Sequence, residues 1–193
     1  SIMIGDDATG TIDGADNNTG LGVDVFAALT SGDNNTAIGN AALTANTTGS
    51  ENTAVGSLAL DANTTASYNT AVGYNSLTAN TTGHRNSAFG RGTLAANTEG
   101  TYNTTTGMST LAANTTGSYN TAECADALTA NTTANYNTAV GAYALTTNTT
   151  GAYNVEIGNN SLKSRTTAGT NTAVGYAVGE DITTAGGNTG LGY

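Results

Sequence analysis

The sequence predicts an all-β chain, a parallel β-roll or β-solenoid built from eleven 17-residue coils. Three observations carry that expectation. First, the pentapeptide Asn-Thr-Ala-apolar-Gly begins at Asn35, Asn52, Asn69, Asn137 and Asn171, and every interval between these starts is a multiple of 17. Second, with the leading Asn as the first column, copies begin at residues 1, 18, 35, 52, 69, 86, 103, 120, 137, 154, 171 and 188, with no insertion or deletion. Third, the consensus N-T-A-V-G-Y-N-A-L-T-A-N-T-T-G-S-Y is rich in poor helix formers, and nothing in it recurs at helical spacing. Fixed columns at a constant period indicate one supersecondary unit stacked on itself, so residues 1–193 form a single repeat array.

Each part of the unit has a local reason. Thr-Ala-Val in the second to fourth columns suits a short strand, with Thr and Val on one pleat and Ala on the other. The Gly of the fifth column permits a bend or a close approach of backbones. Asn in the first and twelfth columns tolerates turn conformations, and Asn-Thr-Thr-Gly reads as a second corner. Two short strands and two turns per copy make one coil, and successive coils stack in parallel about 4.8 Å apart. Ser1 is the one non-Asn in the first column, and Cys124 the one non-Gly in the fifth. The fourth column is apolar in ten copies, including Leu21, Ile38, Val55, Val72, Phe89, Val140 and Ile157, and the ninth is Leu from Leu43 to Leu162.

Composition narrows the class. Only 37% of the 193 residues are hydrophobic, which is thin for a globule, whereas 9% charged residues and no Pro are unlike a disordered chain. Four basic residues against fourteen acidic ones, net −10, leave no footprint for nucleic acid. No apolar run approaches the ~20 residues of a membrane span, and one Cys excludes an internal disulfide framework. Two sizeable apolar columns per coil contribute about 4–6 kcal/mol, against roughly 17–34 kcal/mol of backbone entropy for 17 residues. An assembly that buries one face against identical chains removes the shortfall, and a homotrimer is expected.

The segment Asn69-Thr70-Ala71-Val72-Gly73-Tyr74-Asn75-Ser76-Leu77 resembles the Ser-Val-Ala-Ile-Gly repeats of trimeric autotransporter adhesin heads. It is more similar still to the Asn-Thr-Ala-Val-Gly-Tyr-x-Ala-Leu repeats of phage tail fibres and large bacterial surface proteins. The resemblance covers the whole chain. It implies a trimeric parallel β-roll, extracellular, on a virion tail or a bacterial cell surface, where it would aid attachment. Both chain ends fall in register without a capping repeat, as in a fragment of a longer fibre.

Several residues stand out from the repeat. His84, Arg85 and Arg91 form a basic island able to contact an anionic glycan, or a solvated patch. Tyr102, Tyr119, Tyr136 and Tyr153 share the seventeenth column, preceded by Tyr68, and stacking makes them a ladder that fixes register or meets a glycan. Glu123 takes the apolar fourth column, so a trimer buries three carboxylates near its axis, an arrangement that calls for protonation or a bound ion. Asp6, Asp7, Asp13, Asp16, Asp24 and Asp33 crowd the start, yet no calcium loop motif occurs, and Ile12 and Leu29 replace Asn there. Lys163 and Arg165 are a weaker basic pair. No enzyme chemistry is expected: His84 has Ser87 nearby but no acid close in sequence to orient it, and Cys124 has no His partner. No cofactor or resident metal is expected. The expected role is a structural shaft or head segment presenting a receptor-binding tip. The alternative is an ice-binding solenoid using its Thr and Asn ladders, although adjacent Thr-Thr pairs point to opposite pleats.

Overall fold

A computed structural model describes residues 2–4, 14–164, 166–179 and 185–192. Among these residues twelve three-residue strands recur every seventeenth residue, from β1 (Ile2–Ile4) and β2 (Thr19–Leu21) to β12 (Thr189–Leu191), one per copy. They form one parallel sheet in strict chain order. The register never slips: Thr53 pairs with Thr70, Ala54 with Ala71 and Val55 with Val72, and the other pairings repeat this pattern. The chain is a parallel β-solenoid.

Among the described residues the expected second strand is absent. In its place, the sixth to eleventh columns form an irregular turn that still hydrogen-bonds to both neighbouring coils. Leu58 N donates to Asn40 O in the preceding coil, whereas Leu60 N donates to Ser76 O in the following one. Non-Gly residues at positive φ make this possible. The seventh, ninth and seventeenth columns are left-handed, and the ninth-column leucines from Leu43 to Leu162 lie at φ 41–53°. Asn of the first and twelfth columns is therefore not the turn residue that its propensity suggested. Side chains able to adopt this conformation at a cost of about 1–2 kcal/mol each are held there by the repeated inter-coil bonds.

The core has a different composition from the one expected. Ala of the third column points inward, as at Ala54, Ala71 and Ala88, and packs with the leucine column and the small eighth-column side chains. The fourth column points outward on the opposite pleat: Leu21, Ile38, Phe89 and Ile157 are exposed, and Val55, Val72 and Val140 half-buried. In the coils from Leu43 to Leu162 one large apolar side chain per coil is buried inside the chain, not two. At the start of the described array the fit is compensated. Phe26 replaces Leu, and Gly20 replaces Ala, where a Cβ would stand 3.2 Å from the Phe26 ring.

Asparagine supplies what the apolar core lacks. First-column Asn from Asn18 to Asn171 and twelfth-column Asn from Asn46 to Asn148 are buried. Asn52 donates through its backbone N (2.9 Å) and its Nδ2 (3.1 Å) to Asn35 Oδ1, and Asn63 Nδ2 donates to Asn46 Oδ1 at 2.9 Å. Both columns converge on one carbonyl: Gly49 O accepts from Asn35 Nδ2 and from Asn46 Nδ2, each at 2.9 Å. Every coil from Gly49 to Gly151 has this bridge or its Ala counterpart. Except at Asn148, whose buried Oδ1 has no partner among the described residues, the amide groups are thereby removed from water with their partners in place, which is the condition for burying them without penalty.

Candidate functional site

Two outward-facing ladders run along the solenoid. The first is aromatic. The seventeenth column follows the second corner and is left-handed, which turns its side chain out of the core; Tyr102, Tyr119, Tyr136 and Tyr153 lie at φ 57–61° there. Their rings stack at centroid distances of 4.8, 5.1 and 5.0 Å, with planes 6–10° apart. They remain between 41% (Tyr102) and 59% (Tyr153) exposed. Arg85 occupies the same column, and its guanidinium lies 5.0 Å from the Tyr68 ring centroid and 5.4 Å from that of Tyr102. The ladder therefore continues through a cation–π bridge. His84 meets Tyr102 edge-on at 6.2 Å, with Nδ1 3.3 Å from Thr82 O.

This divides the predicted basic island. His84 and Arg85 join the aromatic ladder, whereas Arg91 is exposed beyond β6 (Ser87–Phe89), at the entrance to the next turn. Lys163 is likewise engaged by an aromatic ring, 5.6 Å from Tyr143. Of the other residues singled out by the sequence, Asp6, Asp7, Asp13, Ile12, Ser1 and Arg165 lie outside the described residues. Asp33 Oδ1 accepts from the Asp16 backbone N at 2.8 Å, so that pair is tied into the coil ladder. Stacked faces limit what the tyrosines can bind. Face-on sugar stacking needs an open ring face, and each inner ring has given both faces to its neighbours.

The second ladder is the outward fourth column. It is aliphatic or aromatic along most of the sheet and is interrupted at Thr106 of β7 (Thr104–Thr106) and Glu123 of β8 (Thr121–Glu123), both exposed. Glu123 is therefore not buried by its own chain. Thr hydroxyls divide into two groups. Thirteenth-column hydroxyls donate to the next coil's backbone, for example Thr47 Oγ1 to Thr64 O at 3.0 Å. The fourteenth column, with Thr48, Thr65 and Thr82, is exposed.

Sequence reasoning missed Glu156 of β10 (Val155–Ile157). It occupies the inward third column and is fully buried, accepting a hydrogen bond from Ser161 Oγ at 2.6 Å. The signal was readable: a carboxylate in a column otherwise filled by Ala, Gly, Met and Thr. A buried hydroxyl group is similar in kind, with Thr93 Oγ1 2.8 Å from Thr105 Oγ1 and 2.6 Å from Thr110 Oγ1. Cys124 is a free, exposed thiol. Among the described residues no group of three His, Cys, Asp or Glu side chains could hold a metal ion, and no helix is long and apolar enough to cross a membrane. A cavity of about 210 Å³ opens between Leu162, Ala173, Val178 and Gly190, where Gly179 takes the place of the column's leucine.

Fold and surface together define a parallel β-solenoid with an aromatic edge and an aliphatic sheet face. No protein-family model matches the chain, and neither a curated protein nor a solved structure matches it.

Proposed function

We propose that the chain is a structural segment of an extracellular fibre, on a virion tail or a bacterial surface, assembled from three identical chains. In this reading it performs no catalysis. It holds a binding tip at a distance, with the aromatic edge and Arg91 available to glycans or a receptor. The observation that carries the reading is the fourth-column stripe. Large apolar side chains repeat on the outer sheet face at the coil spacing, from Leu21 and Ile38 through Phe89 to Ile157. A second copy offers the same stripe at the same period, so every contact made by one coil is available to the next. Glu123 would then form one acidic ring within the buried stripe, a place for shared protons or an ion.

The ice-binding reading competes because the exposed fourteenth-column Thr residues also repeat at the coil spacing. The two differ in assembly state. Light scattering is expected to give the mass of three chains, without thermal hysteresis, and Val72→Lys with Val140→Lys should reduce the mass to one chain while the circular dichroism is kept. A wild-type monomer with thermal hysteresis would overturn the fibre reading in favour of ice binding.

A further inference from the structure

We propose that the tyrosine ladder is a site of oxidative cross-linking, in which neighbouring rings couple to dityrosine and staple successive coils. The inference is independent of the assembly state. Tyr102, Tyr119, Tyr136 and Tyr153 are exposed and lie nearly parallel at 4.8–5.1 Å. Two phenols held this close need no diffusive encounter, so coupling becomes an intramolecular step. The required oxidant is a one-electron oxidant, such as a haem peroxidase supplied with hydrogen peroxide. Each phenol loses its O–H proton to solvent and one electron to the oxidant, giving a phenoxyl radical with spin density on the carbons ortho to oxygen. Two adjacent radicals form one carbon–carbon bond between those positions. The hydrogens on the two bonded carbons return to the phenol oxygens. Two electrons and two protons per bridge reduce one hydrogen peroxide to two waters.

The structure also specifies where coupling stops. Arg85 stands between Tyr68 and Tyr102, so Tyr68 has no tyrosine in the adjoining coil of its column. Tyr74, Tyr143 and Tyr176 occupy other columns. Cleavage after glutamate places Tyr119 and Tyr136 on separate fragments: residues 52–99 carry Tyr68 and Tyr74, residues 100–123 carry Tyr102 and Tyr119, and residues 124–156 carry Tyr136, Tyr143 and Tyr153.

The full chain, dilute, is treated with peroxidase and hydrogen peroxide, cleaved after glutamate and analysed by mass spectrometry and dityrosine fluorescence. Fragments 100–123 and 124–156 should be joined through Tyr119 and Tyr136, with 52–99 free. Tyr119→Phe, which keeps the ring in the stack, should abolish that junction, and Tyr143→Phe should leave it unchanged. Arg85→Tyr should add a junction between 52–99 and 100–123. Absence of dityrosine, bridges through Tyr74, Tyr143 or Tyr176, or joining only between molecules at rising concentration would each overturn the proposal.

Discussion

Cys124 stands where the other eleven copies place glycine. The ten of those glycines among the described residues adopt φ 131–142°, whereas the backbone at Cys124 turns to 81°. The reason for glycine is steric. A Cβ at Gly39 would lie 2.6 Å from the carbonyl carbon and oxygen of Gly56 in the next coil. Cys124 thus carries a local strain that its column mates avoid. Cys124→Gly is expected to stabilise the chain by about 1 kcal/mol, in line with the cost of positive φ for a side-chain-bearing residue, and to raise the melting temperature. An unchanged or lowered midpoint in thermal unfolding would show that the thiol makes a compensating contact. The substitution was conspicuous in the sequence because one column broke; its backbone consequence was not, since the close approach of coils appears only in three dimensions.

On the scale of the repeating element, the asparagine columns are the main organising device, and position along a column should matter. Asn97 Nδ2 donates to Asn80 Oδ1 at 2.8 Å, and Asn114 Nδ2 donates to Asn97 Oδ1 at 2.8 Å. Asn97→Leu removes a donor from one neighbour and an acceptor from the other, and should cost about 3 kcal/mol, the penalty for buried polar groups left without partners. Asn46→Leu orphans only Asn63 and abuts Leu29, which already fills that column. Its cost should be about 1 kcal/mol. Equal losses in denaturant titrations would refute the ladder as the source of stability. The repeat period and the tyrosine ladder were legible in the sequence, because a 17-residue register places like on like. The buried asparagine was not. Asn carries a strong turn propensity, and only the converging Gly49 carbonyl shows why an amide is needed inside.

For the whole molecule, the balance between core and surface decides how the chain behaves. Treating two apolar columns as core was natural from periodicity alone, since nothing in a period of 17 tells which pleat faces inward. The Ala column settled it: a narrow coil accepts a methyl group where a larger side chain would not fit. The fourth column was left outside, broken at Thr106 and Glu123. If identical chains cover that stripe, Glu123→Val should raise the melting temperature by the equivalent of more than about 1 kcal/mol, increasingly so at higher chain concentration. At an isolated exposed position the same change should remain within about 0.5 kcal/mol. A concentration-independent, near-zero effect would argue for a solitary solenoid.

The asparagine columns also give the rod a direction. Backbone bonds between coils run both ways, as with Leu58 to Asn40 and Leu60 to Ser76, and their dipoles largely offset one another. The side-chain amides do not alternate: in both columns the higher-numbered Asn donates to the lower-numbered one. Aligned amides polarise one another and sum as peptide dipoles do along a helix. The solenoid is therefore an electrically vectorial object, with its amide oxygens turned toward the high-numbered end. A further coil can extend the first-column line of amides only by offering donors at that end or acceptors at the other, so head-to-tail stacking is compatible with the lattice and head-to-head stacking is not.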